Sequence, residues 1–242
     1  MRFHWFGDSW VSGDELITPH LHRFSQLVSD AFGAECVNLG RNGSNINALP
    51  LIFHQHLPNI DPDDIVFFCL TASSRTGMFD HSGQFKNILT MSYPGHSPHP
   101  HSEKWFKYFD SPCQRVYNYD NVINLLWLWC KYLKIKCYFL NLFTSESHSI
   151  IDCVPSDAWL VPRDQCIAQS IMSYIDNEYG AVIADDNPNL TDQQWQEQRM
   201  LIEKYIKPNY AHPNIQGHAK IAQDLTILLN ERFRISKTDI RP

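Results

Sequence analysis

The chain has 242 residues, 43% hydrophobic and 19% charged, with a formal net charge of -6. That length favours one domain over 1–242 with a sizeable core. The acidic balance argues against a nucleic-acid surface, no stretch is long and apolar enough to span a bilayer, and Asp8, Asp14 and Glu15 interrupt any secretory leader, which points to the cytoplasm.

In chain order, the first predicted element is a strand over Arg2–Phe6, ending at Gly7-Asp8-Ser9. Thr18-Pro19 reads as an N-cap and N1 pair opening a helix through Phe32, closed by Gly33. A strand over Glu35–Leu39 leads into a glycine-containing loop and a helix over Asn45–Leu57. The third strand is Ile65–Leu70. From Thr76 to Pro112 no regular pattern is visible, so an insertion or lid is expected at about 76–112. A helix over Gln114–Leu133 and a strand over Lys136–Leu142 follow. Helices over Pro162–Tyr179 and Asp192–Ile206 flank a fifth strand at Ala181–Ala184. The last helix is Asn214–Phe233, with Ile221, Leu225 and Leu228 on one face.

Strands alternating with helices predict an α/β fold with a mainly parallel, five-stranded sheet covered on both faces. Ligands of such sheets gather at the C-terminal ends of the strands. Ser9, the Gly40–Asn45 loop and the Thr71–Arg75 loop all follow predicted strands, so they should meet on one edge.

The seven cysteines are an odd count without CxxC spacing. Buried free thiols in a reducing compartment are expected, and a zinc site is not. Disulfides would follow only from export by another route.

Four islands carry polar groups suited to chemistry. Ser9, on a strand-to-helix turn, suits a nucleophile, although turn and cap serines are common in such places. Gly40 and Gly43 suit close approach of backbone to a ligand, with the Gly43 N–H aimed at an anionic oxygen; a plain βα loop would contain them too. In Thr71-Ala-Ser73-Ser74-Arg75 the hydroxyls suit an oxyanion or a cap, and Arg75 suits an acidic substrate group or a salt bridge. His212, ahead of Pro213 and a helix that Asn214 could cap, is placed to take the Ser9 proton as general base. His218 falls inside that helix and reads as structural.

Gly7-Asp8-Ser9, Asn38-x-Gly40-x-x-Gly43 and His212-Pro213-Asn214-x-x-Gly217-His218 resemble the first, second and last blocks of the SGNH/GDSL hydrolase superfamily. With the βα pattern, the resemblance covers nearly the whole chain. It implies a three-layer α/β/α sandwich with a flavodoxin-like sheet, and serine ester hydrolysis. It also implies Ser9 as nucleophile, His212 as base, and an oxyanion hole of the Ser9 and Gly43 N–H groups plus a third-block asparagine. Two positions depart from the pattern. Ser73 stands nearest to that asparagine, with Asn45 as a substitute from the second loop. Asn209 stands three residues before His212, where the family has aspartate; Asp185 and Asp186 are alternative carboxylates, and a bare Ser9–His212 dyad is a further option. Asp8, Asn45 and Arg75 are expected beside the substrate.

His96, His99 and His101 are separated by Pro98 and Pro100 and lack a cysteine or acidic partner, which favours a lid over a metal site. Trp105, Phe106, Tyr108 and Phe109 fit lid packing, or stacking on a sugar or acyl chain. The expected activity is hydrolysis of carboxylic esters through an acyl-enzyme. Small acyl or acetyl groups, on carbohydrate among others, are the expected substrates, with no cofactor or metal. The alternative is a weak or inactive relative that binds a glycan or protein partner.

Overall fold

The computed structural model describes residues 1–14, 16–71, 75–79, 85–89, 112–142, 153–163, 165, 167 and 212–238. Among the described residues, four strands form a parallel sheet: β1 (Arg2–Gly7), β2 (Glu35–Gly40), β3 (Ile65–Leu70) and β6 (Lys136–Asn141), in the order β2-β1-β3-β6. Two further strands, β4 (Arg75–Phe79) and β5 (Phe85–Leu89), pair antiparallel as a separate hairpin.

Strands β1, β3 and β6 are buried along most of their length because both faces are covered, whereas the edge strand β2 is only half-buried. Alternate residues go to opposite sides. Phe3, Trp5, Ile65, Phe67, Cys69, Tyr138 and Leu140 enter one core, and Phe6, Val66, Phe68, Leu70, Cys137 and Phe139 enter the other. Helices α3 (Phe24–Ala31) and α6 (Ile215–Thr238) close the first core with Phe24, Val28, Ile221 and Leu225. Helices α4 (Leu49–His56) and α5 (Pro112–Leu133) close the second with Ile52, Phe53, Ile123 and Leu126. The result is a three-layer α/β/α sandwich. An aromatic ladder crosses the first core, where the Trp5 and Phe67 rings stack at 4.0 Å and Phe67 lies 5.9 Å from Tyr138.

The strand order places the site. From β1 the chain crosses to β2 on one side, then passes over β1 to β3 on the other. The crevice at the carboxyl ends of β1 and its neighbours is where such sheets bind ligands.

Several elements differ from their sequence pattern. The helix expected over Thr18–Phe32 is two: α2 (Pro19–His22) and α3, split by an extended Arg23. The break releases the Phe24 N–H, which donates to Nδ1 of His218 at 3.2 Å, a partner 194 residues away. Periodicity within one segment cannot reveal that competitor. The segment over 45–57 opens as a 3-10 turn (Ile46–Ala48) before α4 and closes in another (Leu57–Asn59). Within the stretch read as irregular from Thr76, the β4/β5 hairpin is regular. Arg-Thr-Gly-Met-Phe and Phe-Lys-Asn-Ile-Leu lack the period-two alternation that marks a half-buried strand, so only the pairing itself identifies them. The rest of the expected lid, including the three histidines and four aromatics of 96–109, lies outside the described residues. So do the fifth strand at Ala181–Ala184 and the helix over Asp192–Ile206. Two residues of the segment near 160 touch the outer edge of β6: Trp159 bridges Phe139, and Leu160 N–H donates to Phe139 O at 2.9 Å.

Candidate active site

Strand β1 ends at Gly7, and the chain turns directly into the short helix α1 (Ser9–Ser12). Gly7 is required by close packing: a Cβ there would stand 2.4 Å from Val11 Cγ2. Asp8 caps the helix. One carboxylate oxygen accepts the Trp10 N–H at 3.0 Å, and the other accepts the Thr71 hydroxyl at 2.8 Å. Asp8 was expected beside the substrate. It is instead fully buried, and both its oxygens hold the turn. Gly13, at φ 73°, ends α1 in the left-handed region, and its N–H donates to Ser9 O at 3.1 Å. These bonds fix the Ser9 backbone, and the residue is 2% exposed.

The second loop is pressed onto this turn. A Cβ on Gly40 would lie 2.5 Å from Ser12 N and 2.9 Å from Asp8 O. Gly40, read either as a point of ligand approach or as part of a plain βα loop, admits the backbone of the Ser9 turn. Arg41 N–H donates to Gly7 O at 3.1 Å, which ties the two loops again. Gly43 stands at φ 67°, a conformation that an L side chain rarely adopts. Asn45 is buried at the head of the following 3-10 turn, its carbonyl accepting Ala48 N–H at 3.1 Å.

Strand β3 delivers Thr71, buried, to Asp8. Ser73 lies outside the described residues. Arg75 begins β4, and only its backbone is described.

His212 comes from the other end of the chain. Asn214 caps α6, its Oδ1 accepting Gly217 N–H at 3.0 Å and its carbonyl accepting His218 N–H at 2.9 Å. One turn into that helix His218 is buried, and its ring stacks on Phe24 at 5.7 Å. Burial, and to a lesser degree the His212 charge, push its pKa down to about 3. Its Nδ1 accepts the Phe24 N–H, so the neutral ring carries its proton on Nε2. His218 therefore anchors α6 to α3, and the anchored helix presents His212. Nε2 of His212 stands 2.8 Å from Ser9 Oγ. A hydroxyl and an imidazole at that separation can exchange a proton. If Ser9 donates, the imidazole proton resides on Nδ1. Asn209, Asp185 and Asp186 lie outside the described residues.

Sequence reasoning missed two braces. One is Thr71, whose position at the end of an otherwise apolar strand was the available signal. The other is Asn38, whose amide bridges three elements. Cys69 packs near the turn, but complete burial pushes its thiol pKa far up, which makes it a poor rival nucleophile. Among the described residues, Cys36, Cys69, Cys130, Cys137 and Cys153 are free thiols. Also among them, no group of three His, Cys, Asp or Glu side chains is placed to hold a metal, and no helix is long and apolar enough to cross a membrane.

No protein-family model matches the sequence, and no curated protein matches it. Among solved structures it is similar to a protein assigned to the G-D-S-L lipolytic family from Desulfitobacterium hafniense DCB-2, at 10% identity and TM-score 0.45, over 94% of this chain and 98% of that one. It is also similar to a G-D-S-L lipolytic family member from Veillonella parvula DSM 2008, at 13% identity and TM-score 0.42, over 93% and 95% of the two chains. An acetylxylan esterase from Geobacillus stearothermophilus is similar at 13% identity and TM-score 0.40, over 94% and 93%. These are likenesses of chain path, and what Ser9 and His212 do is argued from their own geometry.

Proposed function

We propose that this protein hydrolyses carboxylic esters through an acyl-enzyme on Ser9. The observation that carries the reading is the 2.8 Å contact between Ser9 Oγ and His212 Nε2, made at the carboxyl edge of a parallel sheet. His212 takes the hydroxyl proton as Oγ attacks the ester carbonyl. It then gives that proton to the leaving alcohol. Water, deprotonated by the same imidazole, attacks the acyl-enzyme, releases the acid and regenerates Ser9. Negative charge on the carbonyl oxygen is assigned to the Ser9 and Gly43 N–H groups, with Ser73 as a third donor. Asn209 is assigned the orientation of the imidazole. Arg75 and Asn45 are assigned to the substrate side.

The near-complete burial of Ser9 favours a small acyl group, so acetyl esters, including acetylated carbohydrate, are the substrate class to test first. The test compares wild type with Ser9→Ala on p-nitrophenyl acetate and on acetylated oligosaccharides. Hydrolysis that disappears with Ser9 supports the reading. Equal, slow rates in both proteins would sink it and leave a binding protein built on the same frame.

A further inference from the structure

Asn38 lies two residues before the end of β2 and uses its whole side chain. Nδ2 donates to Val11 O at 2.6 Å and to Ser25 Oγ at 2.7 Å, which occupies both amide hydrogens. Oδ1 accepts the Gly40 N–H at 3.0 Å. Val11 belongs to α1, Ser25 to α3, and Gly40 starts the loop that leads to Gly43. One planar amide thus joins the helix that carries Ser9 to the loop that carries Gly43, and ties both to a core helix. The fit is close, since Gly40 has no room for a Cβ against the Asp8–Ser12 backbone.

We propose that Asn38 is a positioning residue for ester cleavage, setting the distance between Ser9 and the Gly43 N–H by locking α1 to the β2 loop. It acts through Val11 and Gly40 and touches no reacting atom. The amide is chemically specific. An apolar side chain would leave the Val11 carbonyl and Gly40 N–H without this partner. A carboxylate would still accept from Gly40 but would face the Val11 carbonyl oxygen with another oxygen. An oxyanion hole depends on donors held in place before charge develops, so a small shift between its two halves slows the chemical step more than binding.

This inference rests on the hydrolase reading above. The test uses the full chain as wild type, Asn38→Ala, Asn38→Asp and Ser25→Ala. For each, steady-state kinetics on p-nitrophenyl acetate, the rate of Ser9 labelling by a fluorophosphonate and the thermal midpoint are measured. Both Asn38 variants are expected to lose about tenfold to a hundredfold in kcat, with KM within about twofold and labelling slowed in parallel. Ser25→Ala, which removes the hydroxyl that accepts from Asn38 and donates to Val11 O but keeps the Asn38 bonds to Val11 and Gly40, is expected to lower the midpoint while keeping kcat within about twofold. A folded Asn38→Ala with wild-type kcat would overturn the proposal, as would kcat losses that simply follow the midpoint across all three variants. Should Asn38→Ala not fold, Asn38→Asp carries the test on the same terms, because it keeps the acceptor for Gly40. A wild type that neither hydrolyses nor labels ends the hydrolase reading and this inference with it. Active Asn38 variants beside an active wild type end this inference alone.

Discussion

Nε2 of His212 lies 2.8 Å from Oγ of Ser9, across a sequence separation of 203 residues. Three devices hold the two atoms there: the local Asp8 cap on α1, the local Asn214 cap on α6, and the long-range His218 bond to Phe24 that fixes α6 against α3. If the pair acts as nucleophile and base, Ser9→Ala and His212→Ala should each lower kcat/KM by about a thousandfold or more, and the double variant little further. Fluorophosphonate labelling located by peptide mass checks the assignment. An adduct on any residue other than Ser9 contradicts it.

The residue behind the imidazole offers a gain-of-function test. An amide orients a histidine but does not stabilise imidazolium, and a serine protease with asparagine in that place loses about 10⁴-fold in turnover. With Asn209 in the orienting role, Asn209→Asp should raise kcat by about tenfold or more. Asp185→Asn and Asp186→Asn should leave it unchanged. A collapse of activity in either of those two variants would move the role of acid to that residue.

Gly40→Ala should be costly because its new methyl meets backbone, which cannot step aside. We expect a loss of about 1–3 kcal/mol in stability and a larger fractional loss of activity, since the displaced atoms belong to the Ser9 turn. Gly33→Ala is the comparison. At φ 61° with open space around its Cβ, it should suffer only the conformational cost of about 1–2 kcal/mol, with kcat intact. Urea unfolding and turnover of the two variants separate the effects.

Thr71→Val keeps shape and removes one hydroxyl donor from the buried Asp8 carboxylate. The expected cost is about 1–3 kcal/mol. Thr71→Ser, which can restore the bond, should recover most of it. Thermal midpoints of the pair test the brace, and equal midpoints for Thr71→Val and wild type would show that it contributes nothing.

Among the described residues, the buried His218 and Asp64 contribute to the acid side of the stability profile. His218 has its pKa lowered from 6.5 to about 3, so the folded chain resists a proton that the unfolded chain accepts. Its contribution is complete above 6.5 and is lost progressively as pH falls towards 3. Burial alone would raise the Asp64 pKa, but hydrogen bonds from His4, the Asp61 N–H and Arg2 outweigh it and hold the carboxyl well below the usual range. Its contribution is present above about pH 4 and fades below that. Unfolding free energy should therefore decline from pH 7 to pH 4, chiefly through His218. His218→Asn, whose Oδ1 can accept the Phe24 N–H, should flatten that slope. An unchanged slope would show that His218 is not its source.

Much of the frame was legible in the sequence. The four sheet strands fall within a residue of their predicted ends: β3 declares itself as an unbroken apolar run buried on both faces, and the half-buried β2 is bounded by Gly33 and Gly40. The Ser9 turn was legible too, since Gly-Asp-Ser closes such a run. Other features depended on partners remote in sequence. Arg23 interrupts a helix whose periodicity is continuous, because His218 competes for the Phe24 N–H. Asp8 looked like a ligand-side carboxylate until Thr71 and Trp10 occupied it. The roles of Gly40 and Asn38 appear only when β2 lies against the Ser9 turn.

By itself, then, the sequence determined the four strands of the parallel sheet and the main helical segments, and which residues stand at those strand ends. Those properties follow from apolar periodicity and turn chemistry over a few neighbours. Tertiary structure alone decided that Ser9 meets His212, that Asp8 faces inward, and that Asn38 joins two loops. Hydrogen bonds and close contacts are satisfied by whichever groups the packed layers bring together, and that pairing is a property of the whole fold.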